Sequence, residues 1–219
     1  MRELELEDLE LDPVFEFTLY YGYTKNALKG YEGEVMPSIG ITEVYLCPYH
    51  KVIEYLSLID IDEKVPKEEL FRKVETAITE TFTESTPAET ASGLPPGNIY
   101  HCHTKVPGYI ITESKYGYHI ILVTHTTLKT RALKVQQTLT RYLKSYGIYV
   151  DTWHQEIGIK RGRTIIRIFG KYADDPVVKV IKISKPYDPV IKELLKLYDT
   201  ARWVRLWASL TQLQSPDSY

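Results

Sequence analysis

An apolar run at residues 52–62 is the feature that most limits how this chain can fold. Its β-branched and aromatic residues predict a buried strand. Pro66 follows and is expected at the first turn of a helix. The apolar face of that helix would be formed by Leu70, Val74, Ile78 and Phe82. A strand followed by an amphipathic helix predicts a sheet with helices packed on it.

The remainder of the chain also alternates between strand and helix patterns. Further strands are predicted at residues 15–23, 41–46, 99–103, 108–112, 118–125, 148–152 and 164–169, with a proline-rich loop at 85–98. A basic amphipathic helix is predicted at about 127–145, with Gly147 as its stop. Asp188 and Pro189 open a last helix. This order predicts an α+β or α/β domain with a mixed sheet.

Opposite charges occupy different stretches of the chain. The 27 basic and 29 acidic residues give a net charge of −2. Residues 1–12 carry six acidic residues and one base, whereas residues 129–171 carry ten bases and two acids, an excess of +8. Binding of polynucleotide phosphates needs such a local excess. The near-neutral total therefore excludes a wholly basic, histone-like protein but permits a basic face.

Cysteine content and hydropathy predict a cytoplasmic protein. The two cysteines, Cys47 and Cys102, are too few for a disulfide framework, so a reducing compartment is expected. No apolar run reaches the roughly 18 residues that a membrane-spanning helix needs. The acidic N-terminus also lacks an apolar signal region. We expect no membrane partner.

Two carboxylates end the predicted strand at 52–62. Because side chains alternate across a strand, Asp60 and Asp62 share one face while Ile59 and Ile61 point to the core. Residues two apart lie about 6–7 Å from each other along that face, which lets both carboxylates bind hard divalent ions. The competing interpretation is a strand that simply runs into its polar loop.

A polar turn before the strand at 118–125 carries groups that can hold phosphate. Gly117 allows the backbone to approach a ligand closely. Ser114, Lys115 and His119 can donate hydrogen bonds to phosphate oxygens. The alternative is a hairpin turn with a half-buried histidine.

A third carboxylate and two bases follow the basic helix. A short apolar strand ends in Asp151, and the next apolar strand carries Arg167 and Lys171 around a glycine. A third aspartate beside Asp60 and Asp62 would complete a two-metal site for phosphoryl or nucleotidyl transfer. The two bases would then neutralise triphosphate charge.

The order of these segments, across residues 52–172, resembles the archaeo-eukaryotic primase superfamily, which includes primase small subunits and the primase-polymerases of archaeal plasmids and viruses. The resemblance places the family's three motifs on Asp60 and Asp62, on Ser114, Gly117 and His119, and on Asp151. The segment after the third motif looks like Arg167 to Gly170. Two departures are Lys115-Tyr116 in place of the family's Gly-Arg and Phe169 in place of its usual proline.

The resemblance implies an α+β fold with a mixed, largely antiparallel, RRM-like primase palm and packed helices. It implies template-dependent nucleotidyl transfer, in replication initiation or primer extension, with Mg²⁺ or Mn²⁺ on the three aspartates. Residues 51–185 would form the catalytic core, 1–50 its N-terminal part or a cap, and 186–219 a C-terminal helix packed on it. The incoming NTP or dNTP would be held by Ser114, Lys115, Gly117, His119, Arg167 and Lys171.

The implied macromolecular partners are a single-stranded DNA template and primer. Phosphates of that DNA would be bound by Lys129, Arg131, Lys134, Lys160, Arg161 and Arg163. Because the chain carries no helicase motif, a helicase or another replication protein would be a further partner.

Two other functions compete with this interpretation. His101 and His103 flank one residue on a predicted strand, and Tyr142 and Tyr146 lie one helical turn apart. That combination resembles rolling-circle replication initiator endonucleases, in which a tyrosine attacks a DNA phosphate. The other alternative is an inactive accessory protein that keeps the primase fold and binds nucleic acid.

A zinc site is a separate hypothesis. Cys47 and His50 have the spacing of a zinc half-site. Three neighbours on a predicted strand, namely His101, Cys102 and His103, could complete the ligand set. Otherwise both cysteines are expected to be buried apolar residues.

Overall fold

The computed structural model describes residues 14–20, 32–84 and 106–199. The predicted loop at 85–98 and the strand at 99–103 lie outside these residues, as do His101, Cys102 and His103. The described elements are β1 (Phe15–Tyr20), β2 (Val35–Leu46), β3 (Ile53–Ile61), α1 (Lys67–Glu84), β4 (Gly108–Glu113), β5 (Tyr118–Thr126), α2 (Lys129–Ser145), α3 (Thr152–Lys160), β6 (Ile165–Tyr172), β7 (Lys179–Ser184) and α4 (Pro189–Leu197).

The seven strands form one sheet in the order β1-β2-β3-β5-β4-β7, and β6 pairs with β2. The long strand β2 pairs with two strands in succession: with β6 along Val35–Thr42 and with β3 along Val44–Leu46. All strand pairings recorded among the described residues are antiparallel. The predicted α+β class with a largely antiparallel sheet is therefore confirmed.

Among the described residues, β3, α1, β4, β5 and α2, followed by an isolated bridge at Val150, have the order of a β-α-β-β-α-β unit. Its strands lie in the order β3-β5-β4, and an isolated antiparallel bridge joins Ile61 of β3 to Val150. The strand predicted at 148–152 is therefore reduced to this bridge, because α3 begins at Thr152. The bridge still brings the residue after Val150 beside the end of β3.

Two apolar cores cover opposite faces of this unit. The helix-side core lies under α1 and α2 and includes Ile59, Ile61, Leu70, Val74, Ile78, Ile120, Leu122, Leu139, Leu143, Ile148 and Val150. The opposite core lies under β2, β6 and α4 and includes Ile41, Leu56, Leu58, Ile110, Ile121, Val123, Ile168, Val190, Ile191 and Leu194. Full burial of such a side chain contributes roughly 1.5–3 kcal/mol. Along β3, Ile59 and Ile61 belong to the helix-side core, whereas Leu56 and Leu58 belong to the opposite core. Because side chains alternate along a strand, residue 60 lies on the face opposite α1 and α2.

Local signals in the sequence account for two helix ends. Asp188 caps α4 by accepting hydrogen bonds from the backbone amides of Val190 and Ile191, as predicted. Gly147 follows α2 with φ +77°, a conformation that glycine adopts without strain. Among the described residues, no helix is both long and apolar enough to cross a membrane.

Candidate functional site

Three aspartates from two distant segments converge at the end of β3. Each of Asp60, Asp62 and Asp151 offers a carboxylate oxygen, and these oxygens all lie within 4.8 Å of one another. All three side chains are partly exposed. The alternation that the sequence predicted holds here, because Ile59 and Ile61 are fully buried in the helix-side core. A partly exposed cluster of carboxylate oxygens is a ligand set suited to Mg²⁺ or Mn²⁺.

Backbone hydrogen bonds hold the third aspartate in place. The Asp151 amide donates to the carbonyl of Asp60 at 2.9 Å. Two residues earlier, the Tyr149 amide donates to the Glu63 side chain at 2.6 Å. Ile148 and Val150 are buried in the helix-side core, which leaves Asp151 on the other side of the segment. The short segment after α2 is thus fixed at both its backbone and its side chains.

Gly117 packs directly against the backbone between the first two aspartates. A Cβ atom at this position would lie 1.8 Å from the Ile61 carbonyl oxygen and 3.3 Å from Cα of Asp62. No side chain fits that space. The carbonyl of Gly117 also accepts bonds from the Ser114 amide at 2.9 Å and from the Ser114 hydroxyl at 3.3 Å. This glycine therefore supports the aspartate pair by close packing.

His119 faces the first aspartate from the neighbouring strand. It is the cross-strand partner of Asp60, and its Nε2 lies 3.7 Å from Asp60 Oδ1. Its Nδ1 lies 3.4 Å from the Thr112 hydroxyl on β4. The imidazole is only 4% exposed, so its ring is held in one orientation. His119 therefore lies beside Asp60 in a buried environment.

The bases predicted to hold nucleotide phosphates gather around Tyr172. Nζ of Lys115 lies 5.5 Å from the centre of the Tyr172 ring, and Nζ of Lys171 lies 5.1 Å from it. The Arg167 guanidinium lies 5.4 Å from the same ring and donates to the Gly170 carbonyl at 2.7 Å. Lys115 also pairs with Asp174. Three cations around one ring form a positive patch at the end of β6.

Tyr198 connects this patch to the histidine. Burial raises the pKa of its phenol, while the nearby Thr112 hydroxyl and the charge of Arg167 act to lower it. Thr112 also contacts His119, with its hydroxyl 3.4 Å from Nδ1. Lys115 of the positive patch lies two residues before Gly117, and Gly117 packs against the backbone of Ile61 and Asp62, so the patch lies beside the aspartate cluster.

Much of the basic stretch at 129–171 lies away from the carboxylates. Lys129 pairs with the buried Glu43 at 2.7 Å and also donates to the Gly162 carbonyl, which fixes the α3–β6 turn beside the start of α2. The first turn of α2 comes shortly after Thr126, the residue that pairs with Tyr55 on β3. Tyr55 lies five residues before Asp60, which is roughly 17 Å along the strand. The other bases predicted to bind DNA are exposed, either on α2 or at the α3–β6 turn: Arg131, Lys134, Lys160, Arg161 and Arg163.

The tyrosines of the endonuclease alternative lie on the helical side of the sheet. Tyr142 and Tyr146 stack at 6.5 Å between ring centres and pack against the helix-side core. The Tyr146 hydroxyl donates to Glu80, and this bond together with burial raises the pKa of Tyr146 to about 12. The aspartate cluster occupies the opposite face, so these tyrosines and the aspartates do not form one site.

A second cluster of ligating groups lies at the other end of β3. Cys47 and His50 of the predicted zinc half-site are joined by Glu54 and His125, two residues that the sequence did not single out. The available signal was the four-residue spacing of His50 and Glu54. Burial opposes the charge on Glu54, but hydrogen bonds from His125, Tyr45 and His50 lower its pKa to about 2. Burial likewise opposes the charge on His125, but bonds to Asp188 and Glu54 raise its pKa to about 10.

Comparisons with known proteins returned no match, whether with protein-family models, with curated proteins or with solved structures.

Proposed function

We propose that the protein is a metal-dependent, template-directed nucleotidyltransferase of the primase or primase-polymerase kind. The observation that carries this proposal is the convergence of Asp60, Asp62 and Asp151, with carboxylate oxygens within 4.8 Å of one another. Three carboxylates held together repel one another unless a cation lies between them. All three side chains are partly exposed, so ions and substrate can reach them from solvent.

The residues present fit hard divalent cations. Carboxylate oxygens are the ligands that Mg²⁺ and Mn²⁺ prefer, and Mg²⁺ in phosphoryl-transfer sites is bound by one or two carboxylates together with substrate phosphates. Asp60, Asp62 and Asp151 would hold these ions. When bound, such cations lower the pKa of an attacking hydroxyl and stabilise a leaving pyrophosphate.

The chain's own groups would position the reactants. In the reaction, the 3′-oxygen of the growing strand forms a bond to the α-phosphorus of the nucleotide. The bond from that phosphorus to the bridging oxygen breaks, pyrophosphate leaves, and the hydroxyl proton passes to water. Arg167, Lys171 and Lys115 would neutralise the triphosphate, since charged donors aimed at phosphoryl oxygens stabilise the charge that develops. His119 lies beside Asp60 and would contact a phosphate bound there.

The connectivity of the β-α-β-β-α-β unit supports the same proposal. The aspartates lie where β3 ends beside the Val150 bridge, on the sheet face that α1 and α2 leave uncovered. An RRM-like primase palm has this connectivity and carries its acidic residues on such a sheet face. The partners would be a single-stranded DNA template, a primer and an NTP or dNTP, with a helicase or another replication protein opening the duplex.

Matched arginine variants test the nucleotide-holding patch. Replacing Arg167 with methionine should lower kcat/KM for the nucleotide by about 10²-fold, because one charged donor near the developing charge is lost. Replacing Arg72, which is exposed on α1 on the opposite side of the sheet, with methionine should change it by less than about threefold. Steady-state primer extension at varied nucleotide concentration gives both values. Equal losses in the two variants would show that Arg167 has no special position.

The proposal is tested by incorporation of labelled nucleotides. The protein is incubated with dNTPs or NTPs on primed and unprimed single-stranded templates, with Mg²⁺ or Mn²⁺ in parallel. We expect products that require the added metal. A melting curve with Mn²⁺ accompanies the assay, because an ion that binds only the folded state must raise Tm. Absence of incorporation under every condition overturns the proposal, and a Tm rise alone then indicates an inactive protein with a metal site.

A further inference from the structure

We propose that Cys47, His50, Glu54 and His125 form a structural zinc site, separate from the aspartate cluster and independent of the proposed nucleotidyl transfer. Each residue offers one ligand atom, and the four atoms lie within 4.8 Å of one another. One thiolate, two imidazoles and one carboxylate are a donor set that suits zinc and disfavours Mg²⁺ or Ca²⁺. Four protein ligands with no open position are typical of structural zinc sites.

The distances between ligand atoms are close to those of a tetrahedral site. Bond lengths of zinc to sulfur and nitrogen imply ligand atoms about 3.3–3.7 Å apart. Sγ of Cys47 lies 3.6 Å from Nδ1 of His50, and Nδ1 of His125 lies 3.3 Å from Oε2 of Glu54. Nδ1 of His50 and Oε1 of Glu54 are hydrogen-bonded at 2.6 Å, so zinc binding would move these two atoms apart by about 0.7 Å.

The turn between β2 and β3 brings the first two ligands together. The Cys47 amide donates to the Val52 carbonyl at 2.9 Å, and the Lys51 amide donates to the Cys47 carbonyl at 2.9 Å. The His50 amide donates to the Cys47 sulfur at 3.4 Å. A backbone amide directed at the sulfur stabilises a thiolate, the form that binds metal. Cys47 is fully buried, which shields the sulfur from water.

An irregularity in the sheet directs the fourth ligand into the cluster. Tyr55 pairs with Thr126, but Leu56 pairs with Val123, so two residues of β5 have no partner residue on β3. His125 is one of these two, and its φ of +47° is rare outside glycine. Bulges of this kind turn a side chain out of its regular direction. Here the bulge directs Nδ1 of His125 to Glu54.

Neighbouring side chains form hydrogen bonds to the proposed ligands and fix their orientation, as is common around metal sites. Nε2 of His125 bonds Oδ2 of Asp188 at 2.8 Å, which leaves Nδ1 for the cluster. Ligating histidines commonly donate their second nitrogen to a carboxylate in this way. The Tyr45 hydroxyl donates to Oε2 of Glu54 at 2.5 Å. Because Asp188 also caps α4, zinc would link the β2–β3 turn, β5 and α4.

The site is tested in a variant with a single thiol. The chain has two cysteines, so Cys102→Ser leaves Cys47 as its only thiol. We expect about one zinc per chain in this variant by elemental analysis. Replacing zinc with Co²⁺ should then give a thiolate-to-cobalt charge-transfer absorption, which must come from Cys47. Loss of metal from Cys102→Ser, with zinc present in the wild type, would overturn the four-ligand set.

Further variants separate this site from the aspartate cluster. Cys47→Ser and His125→Gln should lose the zinc, whereas Asp60→Asn should retain it. Removing zinc from the wild type with a chelator should lower Tm by about 5–10 °C. Zinc present at 100 times its Kd stabilises the folded state by about 2.7 kcal/mol, and the chelator removes that stabilisation. If Cys47→Ser does not fold, the cobalt spectrum of Cys102→Ser decides the question. A wild-type protein that contains no zinc and gives no thiolate–cobalt absorption overturns the proposal.

Discussion

Asn in place of Asp60 should reduce nucleotide incorporation by at least about 10³-fold. The substitution keeps the side chain's shape and removes one of three carboxylates whose oxygens converge at the end of β3. Loss of a metal ligand removes several kcal/mol of transition-state stabilisation, and about 1.4 kcal/mol corresponds to a factor of ten in rate. Single-turnover primer extension with Mn²⁺ measures the loss. The same result is expected for Asp151→Asn, whose amide is bonded to the Asp60 carbonyl.

A control variant separates a lost metal ligand from a lost charge. Glu156 is exposed on α3, so Glu156→Gln removes one negative charge without altering the aspartate cluster. Its activity should remain within about twofold of wild type. Melting curves without metal show that both variants fold. Retention of more than a tenth of the activity by a folded Asp60→Asn protein would show that this carboxylate is not a metal ligand in the reaction.

The second large effect is expected at Gly117. Alanine there would place its Cβ 1.8 Å from the Ile61 carbonyl oxygen, so the backbone of β3 or of the turn must move. Overpacking of this severity should lower the free energy of unfolding by about 3 kcal/mol or more. For a chain of this size, that corresponds to a fall in Tm of roughly 6–12 °C. Because the clash lies between Asp60 and Asp62, the affinity for Mn²⁺ should fall as well.

Gly147 provides the matched comparison. It has φ +77° and nothing within 4 Å of its virtual Cβ, so Gly147→Ala adds backbone strain without a clash. The expected cost is about 1–2 kcal/mol, with no change in Mn²⁺ affinity. Thermal unfolding and Mn²⁺ titration of both variants test the distinction. A Gly117→Ala protein that melts like wild type and binds Mn²⁺ normally would contradict the close packing described above.

The sequence predicted the elements whose patterns were strong. β3, α1, β5 and α2 were expected at nearly their observed positions. β3 is a nearly continuous apolar run, and each of the other three combines a clear apolar pattern with a proline or glycine at one end. α3 was missed, because Thr152–Lys160 contains a glycine and lacks an amphipathic stripe. β7 was also missed, although Lys179–Ser184 holds three β-branched apolar residues. β2 proved longer than the predicted 41–46, because its first residues pair with β6.

In the two candidate sites, residues set by a local pattern were predicted, whereas residues brought in by contacts between distant segments were not. Asp60 and Asp62 follow from strand alternation, which is a local property, and the order of motifs added Asp151. Glu54 and His125 were not predicted, since they join Cys47 only through the pairing of β3 with β5 and a bulge within it. The basic stretch was treated as one surface, yet Lys129 pairs with Glu43 on a remote strand. A sum of charges along the chain holds no information about such pairs.

The most direct test of the central claim is whether the template base determines the incorporated nucleotide. Four primed templates that differ only in the first unpaired base are each given all four labelled nucleotides separately, with Mn²⁺ and wild-type protein. We predict that each template directs addition of its complementary nucleotide, and that Asp60→Asn adds none. Addition that is independent of the template base, or no addition by the wild type, would contradict a template-directed nucleotidyltransferase built on these three aspartates.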